Sequence, residues 1–154
     1  MSNWRLTSGG SILVPGQLPG EPSNAAAAAG NVGEFIQQIV GLTALANGIP
    51  LDIGSINLPP GDWDVVGAIN FQPAGTTSVL VTYGTISGIV DAITQPFFTL
   101  RRPTTLAGNA QYAWCLSPRR ALVNVLTAIK LTAYSEFSVA GMQASGVIQA
   151  RRMR

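Results

Sequence analysis

The stretch LPPGDWDVVGAINF, residues 58–71, decides the fold because a tight turn leads directly into a run of alternating side chains. Proline fixes φ, glycine tolerates a positive φ and aspartate hydrogen-bonds nearby backbone, so PPGD at residues 59–62 predicts a turn. Side chains of an extended chain then alternate between two faces. One face of this run carries Trp63, Val65, Gly67, Ile69 and Phe71. The stretch therefore predicts a turn followed by a half-buried β-strand.

Two aspartates in this stretch, Asp62 and Asp64, share the opposite face and raise the alternative of acid–base catalysis. Such catalysis needs a cleft and a tuned pKa, and the sequence shows neither. The chain has no histidine, which is the commonest general base and metal ligand. Its one cysteine, Cys115, lies in an apolar stretch and is predicted to be a buried, inert thiol. We expect no enzyme activity, no metal and no cofactor, and a hydrolase using the aspartate pair is the catalytic alternative.

Charged residues are scarce, at 10% of a chain of 154 residues of which 47% are hydrophobic. A small soluble domain normally carries about 25% charged residues. A surface this poor in charge is typical of a protein covered by copies of itself or by a larger assembly. No apolar run approaches the roughly 20 residues that span a membrane, and the N-terminus lacks the features of a secretory signal. We expect synthesis in a cytoplasm and no membrane partner.

The charges that are present divide unevenly along the chain. Residues 1–100 hold one basic and six acidic residues (net −5), and residues 101–154 hold eight basic residues and one acidic residue (net +7). The arginines are clustered as Arg101-Arg102, Arg119-Arg120, and Arg151-Arg152 with Arg154. A basic half raises nucleic-acid binding as one interpretation. Arginine pairs without interleaved aromatic residues fit better with pairing to the acidic half, within one chain or between subunits, so we expect no nucleic-acid partner.

Glycine and proline divide the chain into two parts. Residues 1–32 contain many of both and no hydrophobic periodicity, which predicts an extended N-terminal arm. Residues 33–154 are predicted to form one domain, in which short apolar runs alternate with turn residues. The predicted strands lie at 51–58, 63–71, 77–83, 86–93, 97–100, 111–116, 122–139 and 144–151. The predicted turns lie at Gly61, 73–75, Gly84, Pro96, Pro103, 108–109, Pro118 and Gly141.

Two segments are less regular. Apolar spacing leaves residues 34–40 open between helix and strand. The run 122–139 is long for one strand, so we expect a bend, a bulge or two strands there. Short strands at regular spacing predict an all-β sandwich or barrel, and about eight strands in two facing sheets are typical of a jelly roll.

Two motifs of this sequence occur together in a known family. The first is GDWDV-G in residues 61–67, and the second is a C-terminal strand pair that ends in ARRMR. The matching positions are Gly61, Asp62, Trp63, Asp64, Val65, Gly67, Leu131, Ala133, Phe137, Gly146, Ile148, Ala150, Arg151, Arg152 and Arg154. Lys130 stands where the family has tyrosine. Over residues 33–154 the chain resembles small virion proteins of tailed bacteriophages.

The resemblance implies a jelly-roll β-sandwich similar to tumour-necrosis-factor-like domains, which form homotrimers. It implies a structural virion protein, namely a trimeric decoration or cement protein or a short head fibre. Residues 1–32 would attach it to the major capsid protein or to another virion protein. The implied location is the virion, on the capsid surface or in a tail fibre. The alternative is a receptor-binding tip of a tail fibre, in which Tyr83, Tyr112 and Tyr134 would stack on a host surface glycan.

The same motifs indicate which side chains hold the domain and its interfaces together. We expect Trp63 to pack between the sheets or at a subunit seam, because it offers a large apolar area, and sugar stacking is its alternative role. The C-terminal arginines are expected to form charge-assisted pairs with Asp62 or Asp64, or else to lie in a solvated tail. The predicted structural or interface residues are Trp63, Asp62, Asp64, Phe137, Arg151, Arg152 and Arg154.

Overall fold

The structure is a computed structural model of the whole chain. It describes the backbone of residues 5–6, 12–13, 27–75, 77–88, 100–106, 111–138 and 140–153. Side chains are described for residues 27–75, 77–86, 88, 111–138 and 140–153. The predicted turns at Pro96 and at residues 108–109 therefore lie outside the described residues, and so does most of the predicted arm.

The described residues form strands and connecting turns. In chain order the strands are β1 (Arg5–Leu6), β2 (Ile12–Leu13), β3 (Phe35–Leu45), β4 (Leu51–Leu58), β5 (Gly61–Pro73), β6 (Ser78–Ser87), β7 (Leu100–Leu106), β8 (Tyr112–Cys115), β9 (Arg119–Val123), β10 (Thr127–Ser138) and β11 (Met142–Arg152). Strand β4 has the bounds that the sequence predicts. The open segment 34–40 is part of a long strand, β3.

The strands build two antiparallel sheets that face each other, and β1 and β2 form a separate two-stranded sheet. The four-stranded sheet has the order β4-β10-β6-β7. The five-stranded sheet has the order β3-β11-β5-β8, and β9 follows β8 along the same edge of β5. When β8 and β9 are counted as one strand, the first strand of the sandwich, β3, pairs with the last, β11. The second strand, β4, pairs with the second-last, β10. This is the double Greek key of a jelly roll, so the predicted fold class is confirmed.

The alternation in β5 positions the core as the sequence predicts. Trp63, Val65, Ile69 and Phe71 are almost fully buried between the sheets, and the residues between them point outward. The inward face of β5 packs on inward residues of the strands around it. These core residues include Leu58, Ile86, Leu131, Ala133, Met142, Ile148 and Ala150. Because strand side chains alternate with a period of two, a shift of one residue in the register of β5 would expose all of its buried side chains.

Two predicted turns are wrong. Gly84 lies inside β6, where an added Cβ would be 2.9 Å from Cδ1 of Ile69 and 3.1 Å from Cδ2 of Leu116. This glycine allows the opposite sheet to approach closely. Pro103 lies inside β7, which is the edge strand of its sheet and tolerates a residue without a backbone N–H. The predicted strand 86–93 begins within β6, and residues 89–99 lie outside the described residues.

The long run 122–139 contains two strands, β9 and β10, which is one of the predicted alternatives. Strand β9 ends at Val123 opposite Gly61, and β10 begins at Thr127 opposite Leu58. The two strands thus belong to different sheets, and the turn at residues 124–126 joins them. The turn between β4 and β5 is shorter than predicted, because Gly61 and Asp62 already belong to β5.

Candidate assembly surface

Outward-facing residues form rows across the five-stranded sheet. Ala68 of β5 lies opposite Cys115 of β8 on one side and opposite Val147 of β11 on the other. Val147 in turn lies opposite Ile39 of β3. Cross-strand neighbours of this kind share one face of a sheet. The result is an uncharged row that crosses four strands.

The rows beside it are also free of charge. Together they form what we name the uncharged face: Gln37, Ile39 and Ala44 of β3, Val66, Ala68, Asn70 and Gln72 of β5, Ala113 and Cys115 of β8, and Gln143, Ser145, Val147 and Gln149 of β11. Four strands at about 4.8 Å spacing and about 20 Å of strand length give a projected area of roughly 400 Å². Depletion of charge is the compositional sign of an interface core.

One apolar side chain projects at the margin of this face. Ile39 of the edge strand β3 is 78% exposed, more than any other large apolar residue of the described chain. The outer side of the four-stranded sheet differs, because it carries Lys130, Asp52 and Glu136. Lys130 Nζ donates to Asp52 Oδ2 at 2.7 Å there, and Thr132 Oγ1 donates to Asp52 Oδ1 at 2.6 Å. The two outer surfaces are thus chemically distinct.

A charged row closes the uncharged face at one end. Asp64 lies opposite Arg120 of β9 and opposite Arg151 of β11, and Arg151 lies opposite Phe35 of β3. Asp62, two residues earlier on the same face, is buried and accepts a hydrogen bond from Nε of Arg120 at 2.7 Å. A second hydrogen bond joins Arg120 Nη2 to Asp62 Oδ2. These bonds and the charge of Asp62 raise the pKa of Arg120 above its ordinary value.

On the inner side of the same end, Arg152 forms a clasp that joins the last strand to the earliest part of the sandwich. Its Nε donates to Oε2 of Glu34 at 2.8 Å, and both side chains are more than nine-tenths buried, at 8% and 9% exposure. Its Nη1 donates to the carbonyl of Pro60 at 2.7 Å. The guanidinium also stacks on the ring of Trp63. Trp63 Nε1 donates to the carbonyl of Pro59 at 2.9 Å, so its polar edge is satisfied as well.

The carboxylate of the clasp is held in its charged form. Burial raises the pKa of Glu34, but a hydrogen bond from the backbone N–H of Gly30, the hydrogen bond from Arg152 and the positive charge of Arg152 together outweigh it. The net pKa of Glu34 is therefore below its ordinary value. Glu34 thus ties the turn at residues 30–34 to the end of β11.

Three ion pairs among the described side chains each join a base from residues 101–154 to an acid from residues 1–100. They are Arg120–Asp62, Lys130–Asp52 and Arg152–Glu34. Of the two predicted alternatives, pairing within one chain and pairing between subunits, these three ion pairs belong to the first. The partners were not predicted, since Arg152 was expected to pair with Asp62 or Asp64. Asp62 pairs with Arg120 of β9 instead.

The other predicted site residues differ in their burial. Trp63 is fully buried between the sheets, which excludes it as a sugar-stacking platform. Phe137 is half-buried and packs against the core. Arg151 is exposed in the charged row, and the side chain of Arg154 lies outside the described residues. Cys115 is exposed and not buried, because on β8 the alternation turns Tyr112 and Trp114 inward and Cys115 outward.

The tyrosines proposed as loop-end platforms lie in strands. Tyr83 of β6 and Tyr134 of β10 are opposite each other, with ring centroids 5.1 Å apart in an edge-to-face contact. The hydroxyl of Tyr134 donates to Oε1 of Glu136 at 2.6 Å. Tyr112 of β8 is half-buried against the core. None of the three stands at a loop tip.

Within the described ranges, no cluster of three or more His, Cys, Asp or Glu side chains could hold a metal ion. In the same part of the chain, no helix is long and apolar enough to cross a membrane. The residues that the sequence did not reveal as important are Glu34, Arg120 and Ile39. In the sequence, only the alternation of residues 143–149 (QASGVIQ) indicates an uncharged outer face.

Comparison with known proteins points to one fold. No protein-family model matches the chain, and no curated protein matches it significantly. Similar solved structures come from infectious bursal disease virus. They include the VP2 subviral particle (12% identity, TM-score 0.52, 78% of this chain and 32% of that chain) and the T13 viral particle (12%, 0.51, 88% and 35%). The particles derived from a D431N mutant of VP2 are also similar (13%, 0.50, 92% and 37%).

These likenesses establish the fold. The chain spans about a third of the length of the chains that it matches. At identities of this level, the shared feature is the jelly-roll sandwich that also occurs in virus-particle proteins. The resemblance to tailed-phage virion proteins and to tumour-necrosis-factor-like domains stays a prediction.

Proposed function

We propose that this chain is a structural protein of a virus particle, and that it assembles with copies of itself through the uncharged face. In its finer form, the proposal is a homotrimeric decoration, cement or head-fibre protein of a tailed bacteriophage. Residues 1–32 would attach it to the capsid protein or to another virion protein. The domain of residues 33–154 would stand on the particle surface.

The observation that carries this proposal is the uncharged face on a jelly-roll sandwich. A face of this composition is suited to burial, whereas the opposite outer surface carries the solvated ion pair Lys130–Asp52. The similar solved structures include a subviral particle and T=1 particles of the VP2 protein of infectious bursal disease virus. A protein of this kind needs shape and contact surface, and it needs no reacting group.

The shape of the face favours a ring over a pair of identical contacts. Ile39 projects at the edge strand β3, while β5 and the other edge strand, β8, present the small side chains Ala68, Ala113 and Cys115. A contact between the β3 edge of one copy and the β8 side of the next is heterologous, and such contacts form a ring when the rotation between copies closes. A threefold ring would bury both sides of the face in every copy.

Substitution of Ile39 tests the self-association. Ile39→Asp places a charge in the proposed interface without touching the core, since the side chain is already exposed. We expect light scattering coupled to size exclusion to show a trimer for the parent chain and a monomer for the variant. The matched control is Leu80→Asp, because Leu80 is 51% exposed on β6 of the other sheet. A folded parent chain that stays monomeric at micromolar concentration would refute the proposal.

Deletion of residues 1–26 tests the attachment. This deletion spares Gly30 and Glu34, which are bonded to the sandwich. The shortened chain should still form the trimer but should no longer co-sediment with particles assembled without this protein. Cryo-electron microscopy of the intact particle should place the domain on the head. Density only at the tail would favour the receptor-binding alternative, for which the buried Trp63 and the strand-bound tyrosines offer no platform.

A further inference from the structure

We infer that the end of the sandwich from which the N-terminal segment departs is a second docking surface, which seats in an apolar depression of the protein shell of the particle. This inference rests on the proposed function and names a contact additional to the arm. Its centre is the apolar tip, which we define as Leu122, Val125, Leu126 and Met153. No charged side chain belongs to the tip.

The register of the strands places all four residues at one end. Val125 and Leu126 lie in the turn between β9 and β10, which is fixed because Val123 is opposite Gly61 and Thr127 is opposite Leu58. Leu122 lies opposite Asp62. The backbone N–H of Met153 donates to the carbonyl of Asp62 at 2.7 Å, so Met153 flanks the same residue from the other side.

The exposure of the tip is high for large apolar side chains. Val125 is 62% exposed and Leu126 is 68% exposed, although they are neighbours in a turn of three residues. Asparagine or glycine would serve such a turn without this apolar surface. Contiguous exposed apolar residues of this kind mark contact sites. Their position at a turn gives them no part in the core, so the fold does not require them.

The N-terminal segment leaves the domain beside this tip, and its exit is fixed. The backbone N–H of Gly33 donates to the carbonyl of Arg152 at 2.9 Å, and that of Arg152 donates to the carbonyl of Glu34 at 2.9 Å. The Glu34–Arg152 ion pair reinforces the same connection. Residues 1–26 are therefore joined to the sandwich at this end and not at the opposite one.

Anchoring makes a small contact effective. Twenty-six residues span at most roughly 90 Å even when fully extended, which sets an upper limit on the distance between the tip and the surface that binds the segment. The second contact is then intramolecular, and its contribution multiplies that of the first. A tip of a few apolar side chains, too small to bind alone, is sufficient under these conditions.

The charged row separates the tip from the uncharged face. Arg120, Asp64 and Arg151 lie between the row that contains Leu122 and the rows that begin at Val66. The tip and the uncharged face are thus separate surfaces, and one can be changed without the other. Self-association would use the uncharged face, and docking on the shell would use the tip.

The test is a double variant, Val125→Ser with Leu126→Ser, in the full-length chain. Its control is Ile49→Ser, because Ile49 is 59% exposed in the turn between β3 and β4 at the opposite end of the sandwich. Binding is measured by co-sedimentation with particles assembled without this protein, over a range of protein concentrations. We expect the double variant to remain a trimer and to bind the particles about tenfold or more weakly. The control should bind like the parent chain.

Three results would overturn the inference. The double variant could bind as tightly as the parent chain, or the control could weaken binding equally. The double variant could instead lose the trimer, which would make the tip a contact between copies of this chain. A parent chain that binds no particle at all contradicts the proposed function itself, and that outcome is distinct from a loss confined to the tip variant.

Discussion

The guanidinium carbon of Arg152 lies 4.4 Å from the centroid of the Trp63 ring. Arg152 is opposite Trp63 in the pairing of β11 with β5, so the last strand covers the residue that begins the buried face of β5. A cation over an indole ring is attractive, and more so when both groups are shielded from water. With its bonds to Glu34 and Pro60, this one side chain joins three segments that are far apart in sequence.

A methyl group at Gly61 should break this arrangement. Gly61 has φ of 155°, and an added Cβ would collide with Nη1 of Arg152. We expect Gly61→Ala to destabilise the fold by about 3 kcal/mol, measured by urea unfolding at equal protein concentration. Gly141→Ala is the matched control, because nothing lies within 4 Å of an added Cβ there, and it should change stability by no more than about 0.5 kcal/mol. Equal stability of the two variants would contradict the predicted collision.

Removing one partner of the buried Glu34–Arg152 pair should lower the free energy of unfolding more than removing both partners does. Arg152→Met leaves the carboxylate of Glu34 buried without its guanidinium, and we expect a loss of about 3 kcal/mol. The double variant Arg152→Met with Glu34→Gln should recover part of this loss, because no unpaired charge remains. The four unfolding free energies form a double-mutant cycle. A coupling energy near zero would show that the two side chains do not stabilise each other.

The same carboxylate should make stability depend on pH. The pKa of Glu34 is lowered on folding, so its contribution is fully present above the ordinary value near 4.5 and is lost as the pH falls through the lower folded value. Glu34→Gln should therefore flatten the decline of stability between about pH 5 and pH 3.

Asp52 provides the comparison for this pH effect. Burial raises its pKa, but hydrogen bonds from Lys130 and Thr132 and the charge of Lys130 lower it overall. Its side chain is 42% exposed, so water screens the interaction, and Asp52→Asn should flatten the curve less than Glu34→Gln. If the free energy of unfolding depended on pH in the same way for the parent chain and for Glu34→Gln, the lowered pKa of Glu34 would be contradicted.

The thiol of Cys115 should report on assembly. It is exposed on the uncharged face, in the row that ends at Ile39. We expect a maleimide reagent to modify Cys115 more slowly in the trimer than in the monomeric Ile39→Asp variant, as followed by mass spectrometry. The Leu80→Asp control should react like the parent chain. Equal rates in all three proteins would place Cys115 outside the interface.

Much of the fold could be predicted from the sequence because strand alternation is a local property. The burial of Trp63, Val65, Ile69 and Phe71 follows from a period of two and a turn beside it. Strand β4 and the division of the run 122–139 follow from short apolar segments and their limits of length. The glycine at residue 84 was misread as a turn, because a glycine that makes room for Ile69 looks the same in the sequence as one that turns the chain.

By itself, the sequence determined an all-β sandwich, the inward face of β5 and the pairing of a basic half with an acidic half. The tertiary structure alone decided that Arg152 joins Glu34, that Arg120 joins Asp62, and that Cys115 shares an outer row with Ile39. The physical reason is that alternation is written into neighbouring residues, whereas partners across a sheet depend on the register of strands 50 or more residues apart. That register is set when all the buried faces pack at once.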